Sequence, residues 1–138
     1  MIRVNAVQVL VNDQDEARAF YTEKLGMEVR VDAAMPGGDG VRWLTVGPVG
    51  QPDVEIVLMA VPQPPFVAAD TADDIRALMA KGVGTTVFLD TDDCVGTYEE
   101  LSGRGVEYMQ PPEERPYGWE SGLRDPSGNY IRLTQKRA

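Results

Sequence analysis

The stretch "VLVNDQDEARAFYTEKLGMEV", residues 9–29, contains the pattern that decides the fold. It opens in a valine-rich run that starts at residue 4 and is typical of a β-strand. Asp13 and Glu16 then form a capping box, which predicts the start of a helix. The apolar positions that follow recur at helical spacing: Ala17, Phe20, Tyr21 and Leu25. Gly26 is placed to end this helix, and a second strand is predicted over 27–33.

A second stretch, "DTDDCVGTYEELSGRGVEY" at residues 90–108, has the same order of features. Tyr21 and Tyr98 lie 77 positions apart, and so do Glu55 and Arg132. Strands are predicted at 4–11, 27–33, 41–47, 53–61, 84–90, 106–110, 117–124 and 129–135, and helices at 12–26, 71–82 and 91–105. Each half therefore reads strand, helix, three strands, which indicates an internal repeat within an α+β fold.

The division of the chain follows from this repeat. The first module covers 1–61 and the second covers 71–138. Between them, "PQPPFVAAD" at 62–70 is predicted to be a linker, because its prolines exclude a central helix or strand. Thr71 and Asp74 predict a second capping box, and "PPEERPYG" at 111–118 predicts a loop. At 138 residues the chain is expected to form a single domain.

Composition excludes several classes of function. The formal net charge of −9 argues against nucleic-acid binding, since a phosphate backbone requires a basic surface. No apolar run has the length of a membrane span, and the start of the chain lacks the regions of a signal peptide. Cys94 is the single cysteine, so a reducing cytoplasm is the expected location. Histidine, the commonest metal ligand and general base, is absent from the sequence.

With "GLRDPSGNYIRLTQ" at 122–135, the 9–29 stretch carries a resemblance to the vicinal oxygen chelate superfamily, the glyoxalase, bleomycin-resistance and extradiol-dioxygenase group. The resemblance covers essentially the whole chain. It implies two βαβββ modules that form a U-shaped mixed sheet around a cavity, and it implies a homodimer.

The resemblance also implies four metal-ligand positions, which fall at Ala6, Glu55, Thr86 and Arg132. Alanine has no ligand atom, and a guanidinium remains protonated and repels a divalent cation. A single carboxylate holds such a cation poorly without neighbours. No metal and no other cofactor is therefore expected.

Strand alternation separates a face that packs under the helices from a face that lines the cavity. Val7, Val9 and Val11 are predicted to pack under a helix. The cavity face is predicted to contain Ala6, Gln8, Leu10, Glu55, Val57, Met59, Thr86, Phe88, Tyr130, Arg132 and Thr134. Such a mixed surface is typical of small-molecule pockets. The ligand-binding residues predicted from it, together with three aromatic residues on strands or their edges, are Gln8, Trp43, Met59, Thr86, Phe88, Tyr117, Trp119 and Tyr130.

Glu55 and Arg132 admit a structural and a functional interpretation. They form an ion pair that closes the former metal site, or they bind a ligand, with Arg132 contacting a carboxylate or phosphate or Glu55 contacting a cationic group. The three aromatic residues Trp43, Tyr117 and Trp119 are likewise either core or dimer contacts, or platforms for flat rings. Cys94 is predicted to lie in the first turn of a helix as a packed thiol.

The function expected from these residues is metal-free binding of a small organic molecule in the cavity. The alternative is an enzyme of the same superfamily in which Glu55 acts as base and Arg132 as electrostatic stabiliser. Such an enzyme would be a lyase, an isomerase or dioxygenase-like, and it would use no metal or an unconventional one.

Overall fold

A computed structural model describes residues 1–35, 37 and 40–137. The first module contains β1 (Ala6–Val11), α1 (Gln14–Ala19), β2 (Glu28–Ala34), β3 (Arg42–Gly47) and β4 (Glu55–Ala60). After α2 (Ala69–Ala80), the second contains β5 (Thr86–Asp90), α3 (Cys94–Gly103), β6 (Tyr108–Arg115), β7 (Gly118–Arg124) and β8 (Tyr130–Lys136). The predicted βαβββ repeat and the α+β class are confirmed.

The two sheets have the same topology. Their strand orders are β1-β4-β3-β2 and β5-β8-β7-β6, with the first pair of each parallel and the others antiparallel. The chain divides into two compact units, Met1–Ala77 and Leu78–Ala138, so the boundary falls within α2. This boundary lies after the predicted linker, whose last two residues already belong to the helix. A single domain over 1–138 stays a prediction.

Local signals placed the first helix correctly. The Asp13 carboxylate accepts a hydrogen bond from the Glu16 amide, and α1 continues into a π-helical turn, Phe20–Lys24. Gly26 follows with a positive φ of 79°, which glycine adopts without strain. The second capping box was wrong: α2 begins at Ala69, so Thr71 lies inside the helix and its amide bonds to Asp70.

Alternation along the strands is largely as predicted. In the first unit, Val9, Val11, Ile56 and Leu58 are buried on one face of the sheet, and α1 packs against β3 and β4. In the second, Leu123, Ile131 and Leu133 are buried. Val7 is an exception at 55% exposure, although Val9 and Val11 on the same face of β1 are buried. Val57, predicted to line the cavity, is buried.

One predicted loop is a strand. β6 extends through Pro111 and Pro112 to Arg115, although 111–118 was predicted to be irregular. Proline cannot donate a ladder hydrogen bond, but β6 is the edge strand of its sheet, where half of the amides need no partner. Its register against β7 shifts twice, between Tyr108 and Gln110 and between Gln110 and Glu113. The edge position and these irregularities accommodate both prolines.

Among the described residues, none of the helices is long and apolar enough to cross a membrane.

Cys94 is the first residue of α3. Its buried thiol lies 3.5 Å from the Ser121 hydroxyl and 3.7 Å from the Leu133 carbonyl oxygen. Its predicted position in the first helical turn is confirmed. The burial favours the interpretation of Cys94 as a packed thiol.

Candidate functional site

The first unit contains a pocket of about 540 Å³ at one end of its sheet. Gln8 and Met59, both predicted to bind a ligand, lie in its wall, and Leu10 is the register partner of Met59. Most of the other lining residues are apolar. The full lining is Gln8, Leu10, Gln14, Gly40, Val41, Arg42, Met59, Ala60, Val61, Pro62, Gln63, Pro64 and Phe66.

Sequence reasoning missed one wall of this pocket. Residues 61–64 and Phe66 line it, although 62–70 was predicted to be a linker. The Val61 amide bonds to the Val11 carbonyl at 3.1 Å, which ties the start of this segment to β1. The signal in the sequence was Phe66, an aromatic residue among prolines, which is unusual for a spacer.

Gln14, at the start of α1, holds a second wall in place. Its side-chain amide donates to the carbonyl oxygens of Arg42 at 3.0 Å and Leu58 at 2.8 Å. One side chain therefore joins the helix to both β3 and β4 where they border the pocket. This cross-link preorganises the pocket, since the backbone beside Met59 is fixed before a ligand arrives.

Arg42 contributes charge to the pocket wall, and that charge is already paired. Its guanidinium bonds to Asp15 at 2.6 Å and to both oxygens of Asp32 at 2.8 and 2.9 Å. Arg18 is a further partner of Asp32. The hydrogen bonds from Arg42 and then Arg18 outweigh burial and lower the pKa of Asp32 to about 2. The charges of these arginine and aspartate side chains at the edge of the pocket therefore neutralise one another.

Glu55 lies on β4 directly opposite Ala6 of β1. Its carboxylate accepts a hydrogen bond of 2.7 Å from the Thr45 hydroxyl on the neighbouring strand. Trp43 lies two residues before Thr45 and thus shares its face of the sheet. Glu55 and Trp43 are half-buried, and neither lines the pocket.

In the second unit, Arg132 forms an ion pair with Glu120. Glu120 is only 4% exposed and accepts from three donors. These are the Tyr117 hydroxyl, the Arg115 Nε at 2.9 Å and the Arg132 Nη2. Tyr117 and Arg132, both predicted site residues, therefore meet at a carboxylate that sequence reasoning did not select.

The donors around Glu120 determine its ionisation. The hydrogen bond from Tyr117, followed by those from Arg115 and Arg132, lowers the pKa of Glu120 to about 2 against the opposing effect of burial. Arg132 loses hydration through burial, yet its bonds to Glu120 and Tyr117 leave its pKa raised. Both groups therefore stay charged at neutral pH and hold each other in place.

The stability of the protein should consequently fall as the pH is lowered below about 4.5. A carboxyl group whose pKa is lower in the folded state stabilises the fold above its unfolded pKa, and this contribution is lost as the pH falls through the folded pKa. For Glu120 that window runs from 4.5 down to about 2. Urea unfolding between pH 7 and pH 2 should show a shallower acid loss for Glu120→Gln. Glu99→Gln, a substitution at an exposed position of α3, should leave the pH dependence of stability unaltered. Equal effects of the two substitutions would refute the assignment of the acid loss to Glu120.

The remaining predicted residues are distributed over both faces of the second sheet. Phe88 is the register partner of Arg132, and Thr86 is the partner of Tyr130. Phe88 therefore occupies, relative to Arg132, the position that Ala6 occupies relative to Glu55 in the first unit. Thr86, which was predicted for that position, does not occupy it. Trp119 alternates with Glu120 and so lies on the opposite face, next to Gln135, at a small cleft of about 190 Å³.

The fold and these sites define the class of protein. The model of the Glyoxalase/Bleomycin resistance protein/Dioxygenase superfamily matches residues 3–133, and the chain belongs to this superfamily. The solved structure of UcmS2 is 44% identical, with a TM-score of 0.90 and 99% of each chain covered. TnmS3, an antibiotic binding protein from Streptomyces sp. CB03234, is 31% identical, with a TM-score of 0.72 over 99% of this chain and 98% of that chain.

Two curated relatives match most of the chain. An uncharacterized protein from Shewanella frigidimarina (strain NCIMB 400) is 31% identical over 129 residues, which cover 94% of this chain and 90% of the relative. The uncharacterized protein YetH from Bacillus subtilis (strain 168) is 28% identical over 96% of this chain and 98% of its own. The similarity extends over at least 90% of the length of each protein.

The residues at the superfamily's metal positions do not fit a metal ion. Arg132 is a cation held by Glu120, and the residue opposite Glu55 is Ala6. Within residues 1–35, 37 and 40–137, no three or more His, Cys, Asp or Glu side chains form a cluster suited to a metal.

Proposed function

We propose that the protein binds a small organic molecule in the pocket of its first unit. The observation that carries this proposal is a cavity of about 540 Å³ with a mainly apolar lining. Pockets for small ligands span roughly 300–1,000 Å³ and combine an apolar surface with a few polar groups. Gln8, Gln63 and the paired Arg42 supply those polar groups here.

The relatives support the nature of the ligand. TnmS3, 31% identical over nearly the whole chain, is described as an antibiotic binding protein. We infer that the ligand is of antibiotic type, a mainly apolar organic molecule with polar substituents. Binding would then protect against this molecule by sequestering it, and no chemical step would be required.

The contacts of the Glu55 and Arg132 side chains agree better with sequestration of a ligand than with catalysis. An enzyme using Glu55 as base and Arg132 as electrostatic stabiliser needs both groups available to a substrate. Glu55 instead accepts a hydrogen bond from Thr45, and the charge of Arg132 is balanced by Glu120. A stoichiometric binder needs only the preformed pocket.

The test uses N-phenyl-1-naphthylamine, a neutral dye that fluoresces when bound to an apolar site. We expect saturable binding to the wild-type protein. Met59→Asp places an unpaired charge in the pocket wall and should weaken binding about tenfold or more, because burial of a lone carboxylate is costly. Met109→Asp, the same change at an exposed position on β6, should leave the affinity unaltered.

Two results would refute the proposal. The first is absence of dye binding to the wild-type protein at concentrations up to its solubility limit. The second is equal weakening by Met59→Asp and Met109→Asp while circular dichroism shows both variants folded. Phe66→Ala, which removes a ring from the pocket wall, provides an independent variant if Met59→Asp does not fold.

The protein should also purify without a stoichiometric divalent metal. Ala6 and Arg132 occupy two of the four ligand positions that the superfamily resemblance implies, and Phe88 lies at a third, for which Thr86 was predicted. Elemental analysis should therefore give far less than one metal per chain, and a chelator should leave the melting temperature unchanged. Retention of about one tightly bound metal ion per chain, with a lower melting temperature after chelation, would contradict this expectation.

We further expect a homodimer. Val7 on the edge strand β1 is exposed, as are Ile2 and Val4 just before it, and exposed apolar groups beside an open strand edge favour association with a second chain. Light scattering should give about twice the 15.1 kDa chain mass at micromolar concentration. A mass of 15.1 kDa there would refute the dimer, and Val7→Lys should shift the equilibrium towards monomer.

A further inference from the structure

Carboxylates of the first unit engage both edges of the Arg42 guanidinium. A guanidinium recognises an anionic group best through two parallel N–H bonds along one of its edges. Asp32 on β2 occupies one such edge, with its two oxygens 2.8 Å from Nε and 2.9 Å from Nη2 of Arg42. Asp15 on α1 accepts a bond of 2.6 Å from the remaining nitrogen, Nη1. Each nitrogen of this guanidinium is therefore bonded to a carboxylate of the chain itself.

This paired cation lies in the wall of the proposed pocket. Among the described residues that line the pocket, Arg42 is the one with a charged side chain. Gln8 and Gln63 contribute carboxamide groups, which donate and accept hydrogen bonds without carrying a charge. A ligand that enters the pocket therefore meets neutral polar groups and a cation whose charge is already balanced.

The charges around Arg42 oppose the entry of an anion. Asp32 also pairs with Arg18, so two arginines and two aspartates form a group without net charge. The hydrogen bond from Arg42 is the main reason that the pKa of Asp32 falls to about 2, so its carboxylate stays ionised at neutral pH. An anion near Arg42 would be repelled by both carboxylates and would lose hydration without gaining a partner.

We propose that Asp15 and Asp32 determine the specificity of the pocket: because they occupy the guanidinium of Arg42, the pocket selects uncharged ligands over anionic ones. This inference rests on the proposed small-molecule binding and adds the charge class of the ligand. Neither aspartate lines the pocket, so both are positioning residues that act through Arg42.

The experiment compares two probes of nearly equal size that differ in charge. Naphthalene-2-sulfonate is an anion at neutral pH, and naphthalene-2-sulfonamide has the same rings and is uncharged. Each probe is titrated against bound N-phenyl-1-naphthylamine at low ionic strength, where charges are screened least, and displacement lowers the dye fluorescence. With the wild-type protein, half-displacement should require about tenfold more sulfonate than sulfonamide, because a buried anion without a partner is costly.

Removal of either aspartate should narrow this difference. Asp32→Asn leaves one edge of the guanidinium without a charged partner and should improve displacement by the sulfonate about tenfold, since charge-assisted hydrogen bonds are strong. Asp15→Ala should improve it about threefold, because the Asp15 side chain is 86% exposed and water screens its charge. Displacement by the sulfonamide should change less than about twofold in both variants.

Glu16→Ala is the matched control. It removes an acidic side chain from the same first turn of α1, whereas the carboxylate partners of Arg42 in the described part of the chain are Asp15 and Asp32. The sulfonate and sulfonamide should displace the dye from this variant as they do from the wild type. A general disturbance of the pocket would weaken both probes, so a gain for the sulfonate alone reports the charge of Arg42. If Asp32→Asn does not fold, Asp15→Ala at its exposed position provides the test.

The outcomes distinguish this inference from the proposed function. Equal displacement of the dye from the wild type by the two probes overturns the inference. So does a wild-type preference for the sulfonamide that persists unchanged in folded Asp15→Ala and Asp32→Asn. If Met59→Asp still weakens dye binding in either case, small-molecule binding in the first unit stands. If the dye does not bind the wild type, the proposed function fails and this inference fails with it.

Discussion

Asp125→Ala is expected to lower the free energy of unfolding by about 3–5 kcal/mol. The Asp125 carboxylate is 4% exposed and accepts three hydrogen bonds of 2.9 Å. They come from the amides of Ser127 and Asn129 and from the Asn129 side chain. Alanine would leave these buried donors without an acceptor, and each unsatisfied donor costs roughly 1–3 kcal/mol.

Urea unfolding followed by tryptophan fluorescence measures this loss. Asp125→Asn retains one acceptor oxygen but places an amide against the amide of Asn129, so its cost should be intermediate. Asp92→Ala, at an exposed position, should stay within about 0.5 kcal/mol of the wild type. A loss below about 1 kcal/mol for Asp125→Ala would mean that the turn does not depend on this carboxylate.

Gly128→Ala should be similarly destabilising. Gly128 has a φ of 95°, in the region that L-residues adopt at a cost of about 1–2 kcal/mol. A methyl group there would also overlap the Met79 carbonyl oxygen at the end of α2. Backbone cannot move aside as a flexible side chain would, so we expect a total loss of about 3 kcal/mol or more.

Gly105→Ala is the matched control for this prediction. Gly105 has a similar φ of 88°, but a methyl group there would have no atom within 4 Å. Its cost should therefore reflect backbone strain alone, about 1–2 kcal/mol. The difference between the two variants isolates the contact with Met79. Equal costs would show that the turn and the end of α2 are not in the close contact described here.

Local patterns predicted the elements that depend on neighbours in the sequence. Asp13 caps α1, Gly26 follows it with positive φ, and the alternation of Ile131, Arg132 and Leu133 separates a buried from a more open face. The repeat of these patterns was sufficient to predict two βαβββ modules. Such signals are reliable because capping and alternation are decided within a few residues.

Predictions failed where the position of a segment within the sheet mattered. Two prolines predicted a loop at 111–118, yet β6 runs through Pro111 and Pro112 because it is an edge strand. Val7 was expected under a helix and is exposed, although Val9 and Val11 further along the same strand are buried. Whether a strand lies at the edge or the centre of a sheet depends on pairing with distant parts of the chain, which a local pattern does not contain.

The sequence by itself determined the two modules and the Asp13 cap of α1, and its lack of histidine already argued against a bound metal. Only the tertiary structure decided that Arg132 pairs with Glu120, that Phe88 lies beside it, and that Phe66 lines a pocket. Glu120 lies 12 residues before Arg132, and the two meet because β7 and β8 pair in one register among several possible ones. Register is set by burial of the opposite face, where Ser121, Leu123, Ile131 and Leu133 pack, so the charged pair follows from a core that lies on the other side of the sheet.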